Sequence, residues 1–127
     1  MTERPLVLLA EDEALVADLV ESALEEVGFA VVVVDSGDAA LAWLGSDPAF
    51  VALVTDIRLG PGLNGWAVAR KVREQRPGLP VVYVSGDSEA EWTSQGVPGS
   101  VLVPKPFAPC QIVIAISGLI NVSNSPA

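Results

Sequence analysis

The sequence feature that most constrains the fold is a repeated alternation of short apolar runs with amphipathic stretches. Five runs are rich in valine and leucine, and a polar or glycine-containing loop follows each of them. Continuous apolar runs of this length are typical of strands covered on both faces, and their alternation with helices predicts a parallel sheet. The predicted strands are Leu6–Ala10, Phe29–Val34, Val51–Asp56, Pro80–Val84 and Ser100–Val103.

The segments between the runs carry helix signals. Apolar residues recur at helical spacing from Leu15 to Val27, and Gly28 suits the left-handed end of that helix. The segment 88–95 has Trp92 as its only large apolar residue, so we expect a short or loosely held helix there. Further helices are predicted from the capping residues 35–38 to Gly45, from about Trp66 to Pro77, and from Pro109 to about Ile120.

Five such units favour an α/β fold: a flavodoxin-like, doubly wound, five-stranded parallel sheet with strand order 2-1-3-4-5 and helices on both faces. No linker, repeat or low-complexity segment divides the chain. We therefore expect one domain over residues 1–127, with a core of about 6–120 and a polar tail over 121–127.

Composition excludes several classes of function. Cys110 is the single cysteine and histidine is absent, which excludes a disulfide framework and makes a zinc or haem site untenable. A net charge of -9 disfavours nucleic-acid binding. No signal-peptide core or membrane-spanning run is found in the sequence, so we expect a cytoplasmic protein with no membrane partner.

Polar residues follow the ends of four predicted strands. Glu11 and Asp12 follow the first, Asp56 ends the third, Ser85 follows the fourth and Lys105 follows the fifth. Parallel sheets bind ligands at this edge, and clustered carboxylates imply a hard cation such as Mg²⁺. In this setting Asp56 can act as a carboxylate nucleophile toward phosphorus, while Lys105 and Ser85 face the phosphoryl oxygens.

The spacing of these motifs resembles that of receiver domains of two-component response regulators, over about residues 6–120. The motifs are Glu11-Asp12, Asp56, Ser85-Gly86 and Lys105-Pro106-Phe107. The resemblance implies phosphorylation of Asp56 by a phosphohistidine of a sensor histidine kinase or histidine phosphotransfer protein.

The resemblance also implies a role for each site residue. Mg²⁺ would be held by Glu11, Asp12, Asp56 and the backbone carbonyl of Arg58. Lys105 would pair with the phosphoryl group, and Ser85 would move to bond it. The Lys105–Pro106 bond is expected to be cis, as in similar domains.

Three departures from the family pattern bear on switching. Leu102 occupies the position, three before Lys105, where many receivers carry an aromatic switch residue. The loop after Asp56 is one residue longer than the commonest form. Arg58 and Asp87 lie at positions that tune the lifetime of the phosphoryl group in this family.

Each residue alone has a structural alternative. Asp12 alone is readable as a helix cap, and Glu13 is expected only as a first-turn acid favoured by the helix dipole.

Apolar residues from Ile112 to Ile120 cover more of the last helix than one buried stripe needs. They indicate either wider packing or a partner or homodimer surface formed by helix 4, strand 5 and helix 5.

The sequence thus predicts a stand-alone phosphorylation switch. With no output domain in the sequence, we expect the signal to pass by contact with a downstream protein of unknown identity. We expect no enzyme beyond Mg²⁺-dependent self-phosphorylation from a donor and self-dephosphorylation. The alternatives are a receiver-like scaffold that is never phosphorylated and an aspartyl-phosphate phosphatase or phosphotransferase. The haloacid-dehalogenase type of phosphatase needs a second aspartate at the position that Arg58 occupies. A flavodoxin needs a hydroxyl-rich loop after the first strand, where this sequence has three acids.

Overall fold

The computed structural model describes residues 4–46 and 49–124 as a five-stranded sheet with helices on both faces. The turn that the sequence predicts at Asp47 and Pro48, and residues 125–127 of the predicted tail, lie outside the described residues. The strands are β1 (Leu6–Ala10), β2 (Ala30–Val34), β3 (Phe50–Asp56), β4 (Val81–Ser85) and β5 (Val101–Pro104). The helices are α1 (Ala14–Glu26), α2 (Gly37–Ser46), α3 (Gly65–Gln75), α4 (Trp92–Gln95) and α5 (Pro109–Asn124).

The sheet topology confirms the predicted fold class. All paired strands are parallel, and their order is β2-β1-β3-β4-β5. Strand bounds agree with the predicted ones to within one residue. Because β1 and β3 are neighbours, the residues that follow them meet at the same edge of the sheet.

Two apolar cores hold the helices on the sheet, one on each face. The first lies under α2 and α3 and includes Leu44, Phe50 and Trp66. The second lies under α1 and α5 and includes Leu24 and Ile112. Burying one such side chain stabilises the fold by roughly 1.5–3 kcal/mol, so the two cores fix the strand ends that form the site.

Helix ends are set by specific residues. Gly28 has a φ of 104° after α1, as the predicted left-handed end requires. Ser36 Oγ accepts a hydrogen bond of 3.1 Å from an amide in the first turn of α2. Asn64 Oδ1 accepts one of 2.9 Å from the N–H of Ala67, and this cap starts α3 at Gly65.

The predicted weakness of helix 4 is confirmed. A 3-10 turn at Glu89–Glu91 leads into α4, which has 4 residues. Polar contacts link α3 to α4 and to the residues that follow it: Arg70 donates to the side chain of Gln95 (2.8 Å), and Arg73 donates to the carbonyl of Pro98 (2.9 Å). Arginine contacts thus hold a segment that has few apolar residues to bury.

The last helix is longer than predicted. It continues past Ile120 through residues 121–124, because neither glycine nor proline interrupts that stretch. Ile112 and Ile116 are fully buried whereas Ile114 is 70% exposed, so part of the apolar excess faces outward. Among the described residues, no helix is long and apolar enough to cross a membrane.

Candidate functional site

The structure brings the predicted site residues together at one edge of the sheet. Asp56 ends β3 and Ser85 ends β4, while Glu11 and Lys105 directly follow β1 and β5. Glu11, Asp56 and Ser85 are buried, and Lys105 is partly exposed. An open pocket of about 450 Å³ lies above Asp56, Ser85 and Lys105.

Three carboxylates form the acidic part of the site. One oxygen each from Glu11, Asp12 and Asp56 lies within 4.8 Å of the others. Glu11 and Asp56 are buried, whereas Asp12 is exposed at the pocket. Asp12 is not the cap of α1, since Glu13 occupies the N-cap position. Carboxylate oxygens from two adjacent strand ends are ligands suited to Mg²⁺, so the residues present fit that ion.

The proton affinity of Glu11 reflects this crowding. Burial raises its pKa to about 7, and the charge of Asp56 adds to the increase. The amide of Glu13, which donates to Glu11 Oε2 (3.1 Å), and the charge of Lys105 oppose it. A carboxyl group with this pKa is only partly ionised at neutral pH, and a bound cation would favour the ionised form.

Lys105 supplies the positive charge of the site. Its Nζ lies 3.0 Å from Asp56 Oδ2, 3.2 Å from Glu13 Oε1 and 3.5 Å from Glu11 Oε1. Burial opposes the charge of Lys105, but the hydrogen bond to Asp56 and the nearby carboxylates raise its pKa above the ordinary value. The Lys105–Pro106 bond is cis, as predicted.

Ser85 is turned toward the loop that follows β4. Its Oγ accepts hydrogen bonds from the N–H groups of Asp87 (3.2 Å) and Ser88 (2.8 Å). Asp56 and Ser85 line the same pocket, so a phosphoryl group on Asp56 would share that pocket with Ser85. Ser85 Oγ is the acceptor in both of these hydrogen bonds, and the predicted bond from Ser85 to the phosphoryl group stays a prediction.

Arg58 and Asp87 bridge the pocket. The two side chains form a bidentate ion pair, with Nη2 to Oδ2 at 2.9 Å and Nε to Oδ1 at 3.1 Å. The hydrogen bond from Arg58 lowers the pKa of Asp87. The N–H of Arg58 donates to Asp56 Oδ1 (3.3 Å), which places the loop after β3 against the nucleophile. The predicted metal ligation by the Arg58 carbonyl stays a prediction.

Glu13 has a larger role in the site than the sequence predicts. The sequence favours only a first-turn acid, but Glu13 lies at the N-cap of α1 without a capping hydrogen bond, and its carboxylate pairs with Lys105. Its position directly after the acidic pair was the available signal. The pairing of Arg58 with Asp87 had no signal in the sequence, because 29 positions separate the two residues.

Comparison with known proteins agrees with this geometry. The family model of the response regulator receiver domain matches residues 7–117. The crystal structure of a response regulator receiver protein from Sinorhizobium medicae WSM419 is 43% identical, with a TM-score of 0.92 over 96% of this chain and 98% of that chain.

Two further relatives are more distant. The C4-dicarboxylate transport transcriptional regulatory protein DctD of Rhizobium meliloti (strain 1021) is 32% identical over 89% of this chain and 25% of its own length. The receiver domain of the sensor histidine kinase PA1611 from Pseudomonas aeruginosa PAO1 shares the fold, at 21% identity and a TM-score of 0.79 over 94% of this chain and 99% of that chain. It was solved with a magnesium ion coordinated in its active site cleft.

The chain spans about a sixth to a half of the length of the curated relatives it matches. The matched region includes every predicted site residue, from Glu11 to Lys105. With these residues gathered at one sheet edge and most of its length matched, the chain belongs to the response regulator receiver domains of two-component signalling.

Proposed function

We propose that this chain is a phosphorylation-controlled switch that accepts a phosphoryl group on Asp56 from a phosphohistidine of a sensor histidine kinase or histidine phosphotransfer protein. The observation that carries the proposal is the position of Asp56. Its buried carboxylate lies 3.0 Å from Lys105 Nζ, beside two further acids and at an open pocket.

The proposed transfer is a displacement at phosphorus. A carboxylate oxygen of Asp56 attacks the phosphorus atom, the P–N bond to the histidine breaks, and the imidazole leaves with its electron pair. Lys105 pairs with the phosphoryl oxygens, and Ser85 donates its hydroxyl hydrogen to one of them. Mg²⁺ held by Glu11, Asp12 and Asp56 would neutralise the remaining charge, and the magnesium ion in the PA1611 receiver domain supports this assignment.

An apolar groove supports docking of the donor beside the site. Leu15 and Leu19 are 79% and 59% exposed on α1. A groove of about 360 Å³ runs from Leu19 to Phe107, and Glu13 and Lys105 form part of its wall. A donor helix whose apolar face occupies this groove would place its phosphohistidine within reach of Asp56.

Output is proposed to occur through protein contacts. The chain itself is expected to turn over no separate substrate. The face formed by α4, β5 and α5 is the proposed partner or homodimer surface, and Ile114 of α5 is an exposed apolar residue. Action without an output domain and a cytoplasmic location both stay predictions.

Treatment with acetyl phosphate and Mg²⁺ tests the proposal. We expect intact-mass analysis to find one phosphoryl adduct on the wild-type chain, and none on Asp56→Asn or when EDTA replaces Mg²⁺. Asp18→Asn removes an exposed acid of α1 and is the matched control that should still be modified.

Two results would contradict the proposal. If the wild type stays unmodified, the result favours the alternative of a receiver-like scaffold that is never phosphorylated. Hydrolysis of a separate phosphomonoester with many turnovers, which self-dephosphorylation of Asp56 does not produce, would favour the phosphatase or phosphotransferase alternative.

A further inference from the structure

Two side chains of β4 hold the two ends of the segment that links β4 to β5. Tyr83 and Ser85 are two residues apart, so they lie on the same face of the strand. Ser85 Oγ accepts the hydrogen bond from the N–H of Ser88 at the start of the segment (2.8 Å). Tyr83 Oη accepts one from the N–H of Val97 near its end (3.1 Å). Residues 88–100 are therefore attached to one strand at both ends.

The attachment at Tyr83 continues toward the surface through hydrogen bonds. The carbonyl of Val97 accepts from Ser100 Oγ at 2.6 Å. Ser100 Oγ in turn accepts from Trp92 Nε1 at 3.0 Å. Trp92 is 36% exposed, so this path connects a fully buried tyrosine with the surface of α4.

Tyr83 and Ser85 differ in how much space their movement needs. The tyrosine is 0% exposed, and its ring packs on that of Trp66 with a centroid distance of 4.6 Å. Its partner on β5 is Leu102, which has no aromatic ring to swing. Ser85 carries a small hydroxyl group whose rotation needs little space, whereas rotation of the packed Tyr83 ring would need its neighbours to move.

We propose that Tyr83 is the positioning residue that couples Ser85 to α4, a step that rests on the proposed phosphorylation of Asp56. When Ser85 turns to the phosphoryl group, the N–H of Ser88 loses its acceptor and the start of the 88–100 segment is released. Tyr83 keeps the end in place through Val97. The segment then pivots about Val97, and the environment of the Trp92 indole changes.

A purely structural role of Tyr83 makes a different prediction. If its hydroxyl only satisfies a buried amide, its loss lowers stability equally before and after phosphorylation. If it anchors the pivot, its loss also changes how residues 88–100 respond to phosphorylation. The response is therefore the readout that separates the two roles.

The test compares the wild type with Tyr83→Phe, which keeps the ring and removes the hydroxyl. Both chains are treated with acetyl phosphate and Mg²⁺, intact mass reports the adduct, and NMR follows the Trp92 indole and the backbone amides. We expect equal adduct formation. In the wild type the Trp92 indole signal shifts on phosphorylation, whereas in Tyr83→Phe the shift is lost and the Val97 amide exchanges about tenfold faster.

Two further variants complete the design. Ser94→Ala removes an exposed hydroxyl that bonds within the same segment but off the path, and it should behave as the wild type. Ser100→Ala cuts the path between Val97 and Trp92, and should lose the Trp92 shift while keeping the Val97 amide protected. It replaces Tyr83→Phe as the decisive variant if that chain does not fold.

The outcomes separate the two proposals. An adduct in wild type and Tyr83→Phe with the same Trp92 shift in both would overturn the coupling and leave the proposed function intact. A wild type that forms no adduct would overturn the proposed function, and the coupling with it.

Discussion

Replacing Glu11 by glutamine gives a pH-dependent change in stability whose sign follows from the structure. The side chain of Glu11 is 3% exposed, and its pKa is raised from 4.5 to about 7, chiefly by burial. Glutamine has nearly the same shape, and its side-chain oxygen can still accept from the amide of Glu13. The substitution therefore removes the titration with little change in packing.

The folded chain binds the Glu11 proton more tightly than the unfolded chain does. Between about pH 4.5 and pH 7 the folded state thus carries more protons at this site, and its free energy of unfolding falls as pH rises. The difference of about 2.5 pH units is equivalent to about 3 kcal/mol. This contribution is fully present below pH 4.5 and is lost as pH rises through about 7.

Urea unfolding of the two chains in EDTA measures the effect. We expect the free energy of unfolding of Glu11→Gln, minus that of the wild type, to rise by up to about 3 kcal/mol between about pH 4.5 and pH 8. Only this pH-dependent difference is diagnostic, because any change in packing from the substitution adds an offset that is the same at every pH. The attraction between ionised Glu11 and Lys105 is already contained in the raised pKa.

A second arm adds Mg²⁺ at about pH 8, where Glu11 is ionised in the wild type. Mg²⁺ should raise the free energy of unfolding of the wild type and leave that of Glu11→Gln nearly unchanged. Glu26→Gln, an exposed acid at the other end of α1, serves as the control. A difference between Glu11→Gln and wild type that stays constant across the pH range would refute the reasoning about burial.

Three further substitutions test other parts of the site. Lys105→Met keeps the stem but removes the charge beside Asp56, and should slow adduct formation from acetyl phosphate by about 100-fold, followed by intact mass. Arg58→Ala breaks an exposed bridge, so urea unfolding should change by less than about 0.5 kcal/mol while the lifetime of the adduct changes several-fold. Gly65→Ala should lower the free energy of unfolding by about 2 kcal/mol, because its Cβ would overlap the Asp56 carbonyl oxygen; Gly45→Ala meets open space and should not.

The sequence predicted the fold well because strand ends are local features. The apolar run before Asp56 and the acids after β1 were visible without tertiary information, and strand order then placed them together. Contacts between loops were not predictable in this way. The pairing of Arg58 with Asp87, and that of Tyr83 with Val97, depend on how separate segments pass one another in space.

Helix 4 shows a second reason for limited prediction. Its few apolar residues correctly indicated a weak element, since burial supplies most helix stability. They gave no indication that Arg70 and Arg73 of α3 would hold the segment through side-chain and carbonyl contacts. Polar links of this kind leave no periodic pattern in either segment.

The loop after Asp56 is closed on itself at its base. The N–H of Gly65 donates to the carbonyl of Ile57 at 2.8 Å, and Gly60 and Gly62 have positive φ angles between these ends. Because closure entropy grows slowly, doubling such a loop costs only about 0.6 kcal/mol. Insertions between Gly60 and Gly62 should therefore be tolerated without moving the nucleophile. Related proteins can therefore differ in the surface that this loop presents to a partner, while the site residues beneath the loop stay the same.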